Sequence, residues 1–175
     1  LMDTRLYGNY GAKSLLELAL LDIVGKHLQS PIHDLLGGCV RERFPISRSI
    51  SQSEIGKDIE EAREFIKEGY RILKVKVGIL GIQQDVERIM ALREVVGPDV
   101  SLRADANQGW SMPEALQFIE RVHACALTFV EQPLPHWDLD GLAHLRRKSP
   151  VPIMADESAA TEHDALNVIK KEAAD

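Results

Sequence analysis

Aromatic residues make up only 5% of this 175-residue sequence, and cysteine occurs twice. Cys39 and Cys125 are too few for a disulfide scaffold and lack metal-ligand spacing. They are expected to be inert, packed residues in a reducing, cytoplasmic setting. No apolar run approaches the roughly 18 residues that span a bilayer. The opening LMDTRLYGNY lacks the basic flank and apolar core of a signal peptide. Basic charge is short as well: 21 Lys and Arg against 27 Asp and Glu leave a net charge of -6. That balance argues against nucleic acid or an anionic membrane as a partner. No GxGxxG follows the first strand-like run, which weakens a dinucleotide-binding reading. The six histidines form no HxH or HExxH pattern and are read as surface or packing residues.

What is present is alternation. GAKSLLELALLDIVGKHLQ (11–29) reads as an amphipathic helix, and PIHDLLGG as a short helical turn closed by Gly37 and Gly38. The pattern changes near 38–46. Strands are then expected at 46–51, 72–78, 101–108, 127–133 and 151–157. Helices are expected at 56–70, 81–98, 111–125, 139–149 and 161–174. Ser111 with Pro113, and Thr161 with Asp164, supply helix starts, and the basic run RRK (146–148) suits a helix end. Strand and helix thus alternate five times, the pattern of consecutive βα units on a parallel sheet. An open doubly wound sheet and a closed (β/α)8-type barrel are both allowed.

The strands should be almost wholly apolar, yet four break that rule near their C-terminal ends. Lys74 and Lys76 lie two apart in ILKVKVG and so share a face, and Arg103, Asp105 and Asn107 share one in SLRADANQ. Glu131 and Asp156 occupy the next two strands. From Lys76 to Asp105 is 29 positions, from Asp105 to Glu131 is 26, and from Glu131 to Asp156 is 25. One βα unit of a barrel of about 250 residues has that length, so each residue takes an equivalent place on the next strand. In a barrel those strand ends converge on one mouth.

Three carboxylates crowded together stay ionised only with a cation among them. An all-oxygen set of Asp105, Glu131 and Asp156 suits Mg²⁺, with Mn²⁺ as a substitute, and does not suit zinc. A lysine beside another ammonium gives up its proton more readily, since each disfavours the other's charge. Lys76 beside Lys74 is therefore arranged as a general base. A metal holding a substrate carboxylate would stabilise the enediolate formed when the alpha proton leaves. Arg103 is read as an ion pair with a neighbouring acid rather than a substrate contact. Glu157 and Ser158 are read as capping or supporting residues. Trp110 and Trp137 are expected to pack under loops, and Gln132 and Ser51 are further mouth candidates.

The motifs KVKVG (74–78), RADANQGW (103–110), VEQPLP (130–135) and PIMADES (152–158) occur in an order that resembles the enolase superfamily, within it the mandelate racemase/muconate-lactonising subgroup. AKSLLELALLDIVGKHLQSPIHDLLGG (12–38) is similar to the segment joining that family's capping domain to its barrel. The resemblance implies a partial TIM-like barrel of the (β/α)7β type, comprising about the first five βα units. Residues 1–44 would end the N-terminal capping domain and 45–175 would begin the barrel domain. It implies Asp105, Glu131 and Asp156 as metal ligands, Lys76 as the acid/base residue and Lys74 as the neighbour that eases its deprotonation. Asn107 would be a polar residue of the metal site, and Arg103 and Glu157 would support the site or touch substrate. A second catalytic lysine, on a sixth strand, and the capping domain's substrate-reading loops fall outside this sequence, which corresponds to about half of a longer protein. A small-molecule carboxylate substrate and a homo-oligomer are implied.

Three chemistries fit: a muconate-type cycloisomerase, a dipeptide or N-acyl amino acid epimerase or racemase, and an acid-sugar dehydratase. The reading leans to the first. A reading of another class is a non-catalytic chain that binds a metal. A Schiff-base lyase using Lys76 would leave the three acids unexplained.

Overall fold

The computed structural model describes residues 2, 4–51 and 54–175. The chain divides into two compact units, Leu1–Phe44 and Pro45–Asp175. In the first unit, α1 (Tyr10–Leu28) is followed by α2 (Ile32–Leu35). The expected amphipathic character of α1 is not seen, because its apolar residues are spread round the whole circumference. Leu15 and Leu18 lie on one side of the helix and Leu16 and Leu20 on another, so there is no single apolar stripe. Cys39 is exposed rather than packed, whereas Cys125 is buried as expected.

The second unit runs β1 (Arg48–Ile50), α3 (Ile55–Lys67), β2 (Ile72–Lys76), α4 (Ile82–Val96), β3 (Ser101–Asp105), α5 (Met112–Val122), β4 (Val130–Glu131), α6 (Leu139–Lys148), β5 (Ile153–Met154) and α7 (Glu162–Lys170). Every expected strand and helix is present, most with trimmed ends; α3 begins one residue early, at Ile55. The helix starts follow the local chemistry. The Ser111 N–H and hydroxyl both donate to Glu114 at the start of α5. Thr161 and Asp164 exchange side chain-to-backbone bonds at the start of α7. Arg146, Arg147 and Lys148 occupy the last turn of α6.

All strand pairs are parallel, in the order β1-β2-β3-β4-β5. That order decides between the two architectures the sequence allows. A doubly wound sheet reverses its strand order at a switch point; here each strand pairs with the next in sequence, as in the arc of a barrel. One sheet face is the core: Leu73, Val75, Leu102, Ala104 and Val130 are fully buried, as are Ile89, Phe118 and Leu145 from the helices. The opposite face carries the polar residues.

One buried ion pair ties the outer layer to the sheet. Arg88 of α4 meets Asp58 of α3 at 2.5 Å and donates to the Ser51 carbonyl just past β1, with both side chains almost wholly buried. Removing one partner leaves an uncompensated buried charge. Asp58→Ala is therefore expected to cost about 3–5 kcal/mol, read as a lowered urea midpoint at unchanged slope.

Candidate active site

The polar residues gather where the strands end. In the sheet register Lys74 lies beside Arg103, Lys76 beside Asp105, and Asp105 beside Glu131. Because neighbouring in-register residues project to the same side, five charged side chains from three strands share one face. The ladder continues past the strands. The Val77 N–H donates to the Asp105 carbonyl at 2.9 Å, Ala106 to Glu131 at 3.1 Å and Gln132 to Met154 at 2.8 Å.

Asp105 is the centre of the cluster and is fully buried. Its Oδ2 accepts from Lys76 Nζ at 2.6 Å and pairs with Lys74 Nζ at 3.0 Å. Its Oδ1 accepts the Asn107 N–H at 3.1 Å. Lys74 also reaches Glu131 Oε1 at 3.0 Å and so bridges the two acids. Asn107 Oδ1 accepts a second bond from Lys76 at 2.6 Å, and its amide nitrogen donates to Glu157 Oε1 at 3.1 Å. Asn107 reaches Lys76 through a left-handed turn, not through strand alternation: β3 stops at Asp105, and Asn107 has φ 42° and Gln108 φ 69°. Non-glycine residues in that region are uncommon and cluster at functional sites.

The electrostatics follow from these contacts. Burial pushes the Asp105 carboxyl up, but the bonds from Lys76, Lys74 and the Asn107 N–H outweigh it and hold the carboxyl below its ordinary range. Burial raises Glu131; the bond from Lys74 opposes this, the charges of Asp105 and Asp156 add to it, and the net direction is up. Burial lowers Lys74, yet its bonds and attraction to Asp105 and Glu131 prevail, and it is raised. The expectation from sequence that the two ammoniums act against each other is modified in the fold: Asp105 stands between them and stabilises charge on Lys74.

Two loops are pinned beside this cluster. The buried Asp85 carboxylate of α4 accepts from the Gly78 N–H at 2.9 Å and from the Trp110 indole at 3.3 Å. Gly78 has φ 91°, and a Cβ there would lie 2.6 Å from the Ala106 carbonyl, so only glycine allows the chain after Lys76 to pass so near the chain after Asp105. Trp110 packs under a loop against Phe118, as expected, whereas Trp137 is exposed.

Several expectations need correction. Arg103 makes no ion pair among the described residues. Its guanidinium lies 4.8 Å from the centre of the Phe129 ring, and its Nε is buried without a partner. Asp156, like Met154, is exposed while Ser158 is buried, so the expected shared face does not extend to Ser158, because β5 ends at Met154 and residues 157–159 turn into a 3₁₀ helix. Gln132 is no mouth residue: it is fully buried and its amide makes four hydrogen bonds. Its polarity at the end of β4, followed by Pro133 and Leu134, is the signal that a buried amide there must be fully bonded. Gln108, which no sequence pattern singles out, also belongs here: its Oε1 accepts from both the His136 N–H and its ring Nδ1, at 2.9 and 2.8 Å.

The residues can be tested against a divalent ion. Among the described residues no three His, Cys, Asp or Glu side chains stand arranged about one point. Asp105 and Glu131 nevertheless share one cation already, the Lys74 ammonium. Asp156 is near enough to act on the Glu131 charge. Glu157 Oε2 is buried without a hydrogen-bond partner. The donors are all oxygen, which fits a hard ion such as Mg²⁺ and not zinc.

The chain can also be compared with known proteins. The chain is 38% identical to the N-succinyl-L-Arg/Lys racemase of Bacillus cereus over its whole length, covering 47% of that protein. It superposes on the muconate lactonizing enzyme from Pseudomonas fluorescens complexed with muconolactone with a TM-score of 0.94 at 35% identity, covering 99% of this chain and 47% of that one. It superposes on the dipeptide epimerase from Cytophaga hutchinsonii complexed with Mg and the dipeptide D-Ala-L-Val with a TM-score of 0.91 at 35% identity, at the same coverages. The chain thus spans about half the length of the relatives it matches. Members of the enolase superfamily typically use Mg²⁺. Residues 57–175 match the family described as Enolase C-terminal domain-like, and residues 1–37 match the Mandelate racemase / muconate lactonizing enzyme N-terminal domain. With a five-stranded parallel arc bearing lysines and acids on successive strand ends, the chain belongs to the mandelate racemase/muconate lactonizing enzyme group of the enolase superfamily.

Proposed function

We propose that this chain carries one catalytic base and the metal ligands of an enzyme that removes the proton alpha to a carboxylate through a stabilised enediolate. The observation that supports it most is the single carboxylate, Asp105, bonded to both Lys74 and Lys76 while Lys74 reaches Glu131. Asp105, Glu131 and Asp156 would hold Mg²⁺, with Mn²⁺ as a substitute. Bound there, the ion would neutralise the acids and stabilise negative charge developing on the substrate carboxylate. Lys76 takes and returns the proton at its Nζ. Asn107, together with Asp105, holds that ammonium in place, and Lys74 keeps positive charge beside it. Glu157 steadies the Asn107 amide. We propose further that the first unit is the end of a capping domain and the second the beginning of a barrel domain. The protein is proposed to act as a cytoplasmic homo-oligomer on a small-molecule carboxylate. Among the described residues, no helix is long and apolar enough to cross a membrane.

The finer reading is a muconate-type cycloisomerase, supported by the fold similarity to a muconate lactonizing enzyme. A second reading, racemisation or epimerisation of N-acyl amino acids or dipeptides, is favoured by the 38% identity to an N-succinyl amino acid racemase. Both are tested by proton NMR in D₂O with Mg²⁺. A cycloisomerase is expected to place deuterium alpha to the carboxylate of muconolactone. A racemase is expected to wash out the alpha proton of N-succinyl amino acids or dipeptides. No exchange in any of these carboxylates would count decisively against the proposal.

A further inference from the structure

We infer that Gln132 is a positioning residue that sets the placement of Asp156 relative to Glu131, and thereby the metal affinity of the site. The inference rests on the metal-site reading above. Gln132 directly follows Glu131 and is fully buried. Its Oε1 accepts from the Asp156 N–H at 2.9 Å and the Ser158 N–H at 3.0 Å. Its Nε2 donates to the Leu134 carbonyl at 2.9 Å and to Ser158 Oγ at 2.8 Å. Two backbone N–H groups can only donate and a backbone carbonyl can only accept, so the amide has one permitted orientation. Its main chain is equally engaged: the N–H donates to the Met154 carbonyl, and its own carbonyl accepts from Gln108, each at 2.8 Å. One residue therefore joins the chain after β3, the end of β4 and the chain after β5.

This matters most for Asp156. Regular strand pairing holds Asp105 and Glu131, which lie in register. β5 ends two residues before Asp156, so no strand register places that acid. Its main-chain N–H is instead held by the Gln132 amide, one residue from Glu131. The backbone of Gln132 adopts a left-handed φ of 36°, unusual for a residue with a side chain, and that conformation goes with the inward turn of the amide.

The test is calorimetric titration of the intact protein with Mg²⁺, with melting temperature read in parallel. Gln132→Met keeps the volume and removes all four side-chain bonds. It is expected to weaken Mg²⁺ binding about tenfold or more, the usual cost of losing a partner that orients a ligand. Ser158→Ala removes one amide bond but leaves both Oε1 bonds intact, so it is expected to lower the melting temperature at near-normal Mg²⁺ affinity. Should Gln132→Met fail to fold, Gln132→Asn draws the amide back by one methylene and carries the same expected loss. Normal affinity in the Gln132 variants, or an equal loss in Ser158→Ala, would overturn the inference and leave the metal site standing. An unaltered protein that takes up no Mg²⁺ would overturn both.

Discussion

Lys76→Ala is expected to lower kcat by about 10²–10⁴-fold, the usual contribution of a positioned acid/base group, without weakening Mg²⁺ binding. The second half of that expectation follows from charge. Lys76 donates to Asp105 at 2.6 Å, and its loss removes a cation that stands against the same carboxylate a divalent ion would use. Asp105 keeps Lys74 and the Asn107 N–H, so the cluster retains its frame. Lys76→Arg separates charge from proton transfer. Guanidinium preserves the positive charge and can donate to Asp105 and Asn107, but it does not deprotonate in proteins. Both variants should therefore show that loss, in steady-state assays and in alpha-proton exchange alike. Turnover near the unaltered rate in either one would remove Lys76 as the base.

The second large effect concerns Asp105. Asp105→Asn preserves shape and an acceptor oxygen while removing the charge of the most buried acid in the cluster. Mg²⁺ affinity should fall by at least the roughly 10–100-fold that follows loss of a mere ligand-orienting partner. Glu131→Gln should act in the same direction. The fold should survive, since Lys74 retains Glu131 and both lysines are partly solvated. A cation pair stripped of its acid in a dry interior would cost far more. Titration calorimetry decides the matter: an Asp105→Asn protein that binds Mg²⁺ as tightly as the unaltered one rules Asp105 out as a ligand.

How far the sequence could be read varied along each strand. Lys74 and Lys76 were legible as a pair because β2 stays extended across both, and a period of two holds wherever the backbone is extended. Asp105 and Glu131 were legible through the constant length of a βα unit, and the register sets them side by side. The same parity failed one strand later. β5 is only two residues long, so the alternation does not carry on to Ser158: Met154 and Asp156 are exposed and Ser158 is buried. Arg103 was correctly placed on the polar face, but its partner is the ring of Phe129 rather than an acid.

Periodicity and spacing were thus sufficient by themselves to establish a run of parallel βα units and to bring lysines and acids to one end of it, because both depend only on repeat lengths along the chain. Tertiary structure alone decided the rest. It put the strands in unreversed order, set Asp105 between two ammoniums that the sequence had opposed to each other, and turned the Gln132 amide inward to hold Asp156. The last two depend on partners 24 to 31 positions apart, whose meeting no local pattern encodes.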